Sequence, residues 1–296
     1  MVSTCLRYIA NSLPLVSYII LLSFSLNFLL YISNRVSLTF AGVSLLGSYL
    51  FVSLASALMG TRFSLIYFIF VLTITSLIGG VISVSIYWIF ERFLKTDVHR
   101  MVATSSLLLV FGGFVKLIWG TTPITYSQPF LQMGVFEIFG NFVPKYYFFM
   151  LAVATIVLLA LDLFLYRTTW GLRFRAISLD GDRIMAQVCG VNEKIITIFT
   201  FAISGMLASL AGGLYAPITG ASYGAESNAL LLASLSVIIG GVGSIKGVLL
   251  TAFIIGIGRV VTAIQLPVLE LAVPFIVASI TLIIWPYGIW GKEFKH

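Results

Sequence analysis

The side chains that could do chemistry in this chain are few and scattered. Lys116, Asp162 and Arg259 are the ionisable residues inside otherwise apolar runs. A charge in hydrocarbon is costly, so it defaults to an ion pair, a proton relay or a solute path unless it can reach the interface. Lys116 and Asp162 each stand about one turn from the end of a run, within snorkelling reach of water. Arg259 lies deeper, where it either pairs with Glu270 or faces a solute path. Gly240-Gly241-Val242-Gly243-Ser244-Ile245-Lys246-Gly247 has the outline of a phosphate loop. It lacks the Gly-Lys-Ser/Thr ending that places the lysine and the magnesium ligand, and it joins two apolar runs where a strand should precede a helix. We reject it as a nucleotide site. His99 and His296 have no metal-ligand spacing, and Cys5 and Cys189 are too few for a disulfide framework. No carboxylate cluster, zinc signature or nucleophile–base spacing supports catalysis. The expectation is a chain that is not an enzyme and holds no cofactor or metal of its own.

The elements that would position these residues follow from composition. Sixty per cent of residues are hydrophobic, 9% are charged and mean hydropathy is +1.10, against about a quarter charged in soluble domains. Apolar runs of roughly 20 residues recur along the chain, each long enough to cross the bilayer as a helix. Alternation within them is too weak for a β-barrel. The expectation is an all-α polytopic membrane protein with about nine transmembrane helices (eight to ten), forming one transmembrane domain over residues 1–296. The nine runs are Leu13–Ser33, Val36–Met59, Phe63–Phe90, Met101–Trp119, Tyr146–Tyr166, Ile195–Leu214, Ala229–Gly243, Gly247–Gln265 and Val268–Tyr287. The third is long and carries Gly79-Gly80, a place for a kink or tilt. The N-terminal run has only Arg7 as its basic region and no small-x-small cleavage site, so it reads as the first span.

Charge sets the orientation. With the N-terminus outside and the C-terminus in the cytoplasm, the inner side receives twelve basic residues and the outer side only Arg7, Arg62 and Lys145, as the positive-inside rule requires. The net charge of +7 is therefore a topology signal, and no nucleic-acid partner is implied. Trp88, Trp119, Trp285 and Trp290 fall near span ends and Trp170 just beyond one, as an interfacial belt would place them.

Two longer segments lie between runs. The outer loop, 120–145, is apolar and aromatic enough to pack across helix ends. The inner loop, Arg167–Lys194, is the one long polar island. Within it Asp180 is a cap, Gly190 a stop, and Ile184, Met185 and Val188 share a face. Such a two-turn helix is too short to stand alone in water; it lies on the membrane surface or docks in a groove of a cytosolic partner. In the sixth run Gly205, Ser209 and Gly213 recur every four positions, a face that admits another helix backbone. Gly256 and Gly258 do the same in the eighth. Asp162 is the one acidic candidate for ion coupling, so energy should come from outside the chain.

The same residues resemble the permease subunits of branched-chain amino acid ABC importers, a group that also includes urea and amide permeases. Gly171-x3-Arg175-Ala176, Asp180 and Ala186-x3-Gly190-Val191-Asn192 resemble the family's coupling loop. Gly240-Gly241-Val242-Gly243-Ser244-x2-Gly247 resembles its glycine-rich turn, and Trp285-Pro286-x-Gly288-Ile289-x-Gly291 its C-terminal signature. Ser37-Leu38-Thr39-Phe40-Ala41 through Gly47-Ser48-Tyr49 resembles its second-span motif, and Glu91-Arg92 the start of its first inner loop. The resemblance implies alternating access in the cell (plasma or inner) membrane. Its partners would be a second permease subunit, in a homo- or heterodimer, an extracytoplasmic solute-binding protein and two cytosolic ABC ATPase subunits that bind ATP and magnesium. It assigns ATPase coupling to Arg175, Ala176, Asp180, Ala186, Gly190 and Asn192. Candidates for the translocation path are Ser37, Thr39, Ser44, Ser48 and Arg259; the structural glycines are Gly205, Gly213, Gly240, Gly241, Gly243 and Gly247. Phe40, Arg259 and Lys246 depart from the family's usual polar residue, glutamate and proline. The expected cargo is branched-chain amino acids or related small polar solutes; a self-contained carrier or channel is the alternative.

Overall fold

The computed structural model describes residues 2–33, 37–59, 64–93, 96–138, 141–178, 183–286 and 288–290. In hydrocarbon every backbone amide must find its partner within the segment, which leaves apolar runs little choice but helix. Twelve helices result: α1 Val2–Ser33, α2 Thr39–Met59, α3 Leu65–Phe93, α4 Asp97–Trp119, α5 Gln128–Gln132, α6 Lys145–Arg167, α7 Thr169–Ile177, α8 Arg183–Val188, α9 Glu193–Thr219, α10 Ala225–Gly240, α11 Ile245–Gln265 and α12 Ala272–Ile284. Seven of them are long and apolar enough to cross a bilayer, while α10 and α12 are shorter apolar helices. The chain is thus a polytopic helical membrane protein, and each of the nine expected runs falls on one of these nine helices. Boundaries move in instructive ways. The helix of the first run starts at Val2, α10 begins a turn earlier than hydropathy suggests, and the last run opens with a 3₁₀ turn, Pro267–Leu269, before α12.

The long outer segment is folded. A hairpin pairs β1 Val135–Ile138 with β2 Asn141–Pro144, and Ile124 and Ala221 exchange backbone hydrogen bonds of 3.1 and 2.8 Å, tying it to the α9–α10 connection. Tyr126 is buried beside this tie, and burial pushes its phenol above the ordinary value.

The bundle is organised around α9. Its small residues meet those of α2 and α3 at backbone distance. A methyl on Gly47 would sit 2.5 Å from the Ser209 carbonyl oxygen. One on Gly79 would lie 2.8 Å from the Gly205 carbonyl oxygen, and one on Gly212 would fall on that of Ser44. Gly79-Gly80 is therefore a contact surface within an unbroken α3. Hydroxyls stitch the same seams. Ser25 Oγ on α1 donates to the Ser204 carbonyl at 2.8 Å and Ser204 Oγ donates back to the Ser25 carbonyl at 3.0 Å. Ser209 Oγ donates to the Thr75 carbonyl at 2.8 Å, and Tyr146 of α6 reaches the Leu214 carbonyl at 2.7 Å. Lipid offers no hydrophobic gain for joining helices, so close packing and such bonds, about 0.6 to 2 kcal/mol each, hold the bundle. Against this scaffold α1 is buried through its central turns, with Val16, Ser17, Ile19, Leu22, Ser23 and Ser25 almost wholly out of contact with solvent or lipid.

Gly212→Val should disrupt this seam, since the clash is with backbone that cannot rotate away; overpacking of this kind costs about 1–3 kcal/mol or more. Gly113→Ala meets nothing within 4 Å and should be neutral. Monodisperse yield and thermal midpoint in detergent distinguish them; equal behaviour would refute the packing described.

Candidate functional site

Two adjacent cavities occupy the end of the bundle where α9 gives way to α10. The larger, about 380 Å³, is lined by Ser44 and Ser48 of α2, Gly212 and Tyr215 of α9, and Glu226 and Asn228 of α10, among others. The smaller, about 230 Å³, lies among Asn11, Pro14 and Tyr18 of α1, Tyr147, Asn228, Arg259 of α11 and Glu270. Tyr18, Tyr215 and Asn228 border both. Tyr18 and Tyr215 stack with ring centroids 4.6 Å apart and planes inclined by 19°, so this pair forms the partition. The larger volume falls within the roughly 300–1,000 Å³ of small-molecule sites.

Arg259 is 8% exposed and anchors the smaller cavity. Its Nε and Nη2 each lie 2.9 Å from Glu270 Oε1, and its Nη1 donates to Asn228 Oδ1 at 2.9 Å. A buried guanidinium is tolerable only when paired and hydrogen-bonded in this way. The two sequence alternatives for Arg259 thus coincide: it pairs with Glu270 and borders a cavity. Ser44 also lines the larger cavity, its Oγ 3.4 Å from the Tyr18 hydroxyl. Ser37 and Thr39 stand apart from both cavities, buried at the start of α2 with their hydroxyl oxygens 2.8 Å apart. Sequence reasoning missed Tyr18, Tyr215, Asn228 and Glu226. Ala225-Glu226-Ser227-Asn228 is polar, so a hydropathy scan discards it, yet it forms the first turn of α10. Lys116 is exposed and Asp162 half-buried.

The inner loop forms a second assembly. Thr168 caps α7 by accepting from the Gly171 amide at 3.0 Å while donating to the Phe164 carbonyl, and a side chain at Gly171 would strike that same carbonyl. Gly190 closes α8 at φ +81°, with its amide bonded to the Gln187 carbonyl and that of Val191 to the Ala186 carbonyl, a Schellman stop. Asn192 caps α9, accepting from Lys194 and Ile195 amides at 3.1 and 3.4 Å. Asp180 lies outside the described residues. Ala186 is buried with Phe28 and Ile32 of α1 and Phe174 and Ile177 of α7, and Ala176 packs against the same cluster. Ile184, Met185 and Val188 are 77, 60 and 77% exposed. The Arg175 guanidinium lies 4.9 Å over the Tyr166 ring, and its Nε is buried with no hydrogen-bond partner among the described residues.

The glycine-rich turn and the C-terminal signature meet at one place. Asn27 Oδ1 accepts from the Gly243 amide at 2.7 Å, and Gly241 and Gly243 take φ of +91° and +83°. Gly240 and Gly247 touch backbone to backbone. Ile289 and Trp290 amides donate to the Ile239 and Gly240 carbonyls at 2.8 and 3.3 Å. These motifs are a clasp that closes the end of α10 and α11; Gly291 lies outside the described residues.

This architecture agrees with the family model for the permease component of branched-chain amino acid transport systems, which matches residues 8–284. The chain belongs to that family. Among its relatives, a probable branched-chain amino acid transport permease, LivH, of Methanocaldococcus jannaschii is 27% identical over 76% of this chain and 75% of its own. The high-affinity branched-chain amino acid permease LivH of Salmonella typhimurium is 24% identical over 97% and 96%. A ribose import permease, RbsC, of Haemophilus influenzae is 28% identical over 63% and 57%. No solved structure matches the chain.

Arg259→Glu would set two carboxylates against each other, so this permease variant should still assemble, with a lowered thermal midpoint, and lose most of its uptake. Adding Glu270→Arg should restore a substantial part. Wild-type uptake by the single variant would remove the pair from the path.

Proposed function

We propose that the chain is the membrane-spanning subunit of an importer that moves branched-chain amino acids or related small polar solutes by ATP-driven alternating access. Residues 1–296 act as one permease unit beside a second permease subunit. Two cytosolic ABC ATPases supply the energy, and an extracytoplasmic binding protein delivers the solute to the cavity end. The observation that carries this reading is a continuous physical link. Ala186 of α8 shares one buried cluster with Phe174 and Ile177 of α7, and through α7 with Phe28 and Ile32 of α1, and the same α1 carries Tyr18 to the partition between the cavities. A push on α8 therefore acts on a buried rod that ends at the solute space. The exposed Ile184, Met185 and Val188 are the face offered to an ATPase groove, in the helix-in-groove manner.

Val188→Glu should abolish co-purification of the ATPases and ATP-driven uptake in vesicles while leaving the thermal midpoint of the permease unchanged. Ala186→Trp should lose both coupling and stability, because the indole would push α8 off that cluster. If ATPases bind and drive both variants normally, α8 is a membrane-surface element.

The basic-residue asymmetry supports an outside N-terminus and a cytoplasmic C-terminus, which sets the cavities toward the outer face. Impermeant thiol labelling of Ser3→Cys and His296→Cys variants should modify position 3 from outside and position 296 only after permeabilisation. Labelling from one side would overturn this orientation.

A second reading, a self-contained carrier, draws on Glu226, a buried carboxylate of the kind that ion-coupled transport uses. Uptake by the purified chain alone, under an imposed ion gradient and without ATPases, would favour it.

A further inference from the structure

Glu226 is 7% exposed, and its Oε2 is buried with no hydrogen-bond partner among the described residues. A buried carboxylate in that condition is expensive, and proteins keep one chiefly where a partner arrives later. Glu226 sits in the first turn of the 16-residue α10, at the electropositive end of the helix, and the Gly224 cap supplies no side-chain hydrogen bond there. Glu226 lines the larger cavity, and no lysine or arginine lines it among the described residues. The nearby guanidinium of Arg259 already serves Glu270 and Asn228. What the cavity lacks is a cation.

We propose that the larger cavity recognises a small amine-bearing solute, with the Glu226 carboxylate receiving its ammonium group. The shape of the remaining lining agrees. Tyr215 and Tyr223 present aromatic surface that favours a cationic carbon–nitrogen group. Asn228 gives its Oδ1 to Arg259, so its amide nitrogen is the end it can present to a solute acceptor such as a carboxylate or amide. Ser44 and Ser48 add hydroxyls. A bare metal ion fits poorly. The volume far exceeds it, and no group of three His, Cys, Asp or Glu side chains able to hold one occurs among the described residues.

This inference rests on the cavity being part of the permease's solute path. The test uses the purified chain in detergent and, in parallel, the assembled transporter in vesicles. Binding of leucine, isoamylamine (ammonium retained, carboxylate removed), 4-methylpentanoate (carboxylate retained, ammonium removed), acetamide and sodium chloride is measured by calorimetry. Leucine and isoamylamine should bind the wild-type chain and 4-methylpentanoate should not. Glu226→Gln should weaken the two amines by roughly tenfold or more, the loss expected for a charged hydrogen bond. Should Glu226→Gln fail to fold, Glu226→Asp and Gly112→Ala, whose methyl would press on Glu226 Oε1 at 3.0 Å, should weaken the same two ligands. Equal affinity for 4-methylpentanoate or acetamide, binding of sodium alone, or unchanged amine affinity in these variants would overturn the ammonium site. The vesicle arm separates the two readings. ATP-driven uptake of a neutral solute that ignores Glu226 sinks the ammonium site and keeps the permease, whereas no ATP-driven uptake of any solute sinks the permease reading itself.

Discussion

The structure depends on how closely backbones approach one another along α9. At Gly205 and Gly212, and at Gly47 and Gly79 facing them, a single methyl would collide with a carbonyl or a serine side chain of the neighbouring helix. Such contacts are the means by which helices associate where lipid is as apolar as any leucine. They also explain why serine and threonine are so frequent in the buried set. A hydroxyl between two close backbones donates to a carbonyl across the seam, as Ser25, Ser204 and Ser209 do, and so satisfies its own donor. With α1, α2 and α3 held to α9, the remaining helices can be shorter and more loosely applied, as α10 and α12 are.

Because α9 is thick with small residues, it leaves room for α1 to lie buried beside it. The consequence is mechanical. One half of α1 contacts the inner-loop helices through Phe28 and Ile32 and the glycine turn through Asn27; the other half, which contains Pro14, borders both cavities. Proline removes a ladder hydrogen bond and eases bending at that place. A second proline, Pro217, sits near the corresponding end of α9. The two helices whose tyrosines form the partition between cavities are thus the two that are weakened by proline close to it.

Much of this was legible in the sequence, and the division follows the physics of each signal. Apolar runs report helices because burial in lipid is a long-range average over many residues; each run therefore landed on a helix. The Gly205, Ser209 and Gly213 spacing reported the α9 seam, since a four-residue repeat keeps one face whatever the partner. Gly190 announced a stop by local backbone geometry alone and holds that post, whereas Asn192, read only as part of the coupling loop, caps α9. The site was far less legible. Which side of α8 faces inward depends on α1, 150 residues earlier in the chain, so Ala186 could not be read as an anchor. Ser37 and Ser44 look alike in sequence, and only the approach of Tyr18 and Gly212 separates the one beside a cavity from the one that is not. Glu226 was hidden by the rule that found the helices, which treats a polar turn as the end of a span.

The two acidic residues at the cavity end show how one charge type can take two roles. Glu270 is a third exposed by its side chain and bound to a guanidinium; its charge is neutralised within the protein and serves to hold α11, α10 and the start of α12 together through Arg259 and Asn228. Glu226 is more deeply buried and has no such partner. If the second carboxylate were merely structural, the economical solution would be the first one repeated, a pair across a helix seam. Glu226 instead lines a volume bordered by Asn228, whose oxygen is held by the same Arg259. The ion pair therefore orients the amide beside the unpaired acid, and disturbing Arg259 should be felt in the larger cavity as well as in its own. That coupling ties the framework residue legible in the sequence to the recognition residue that was not.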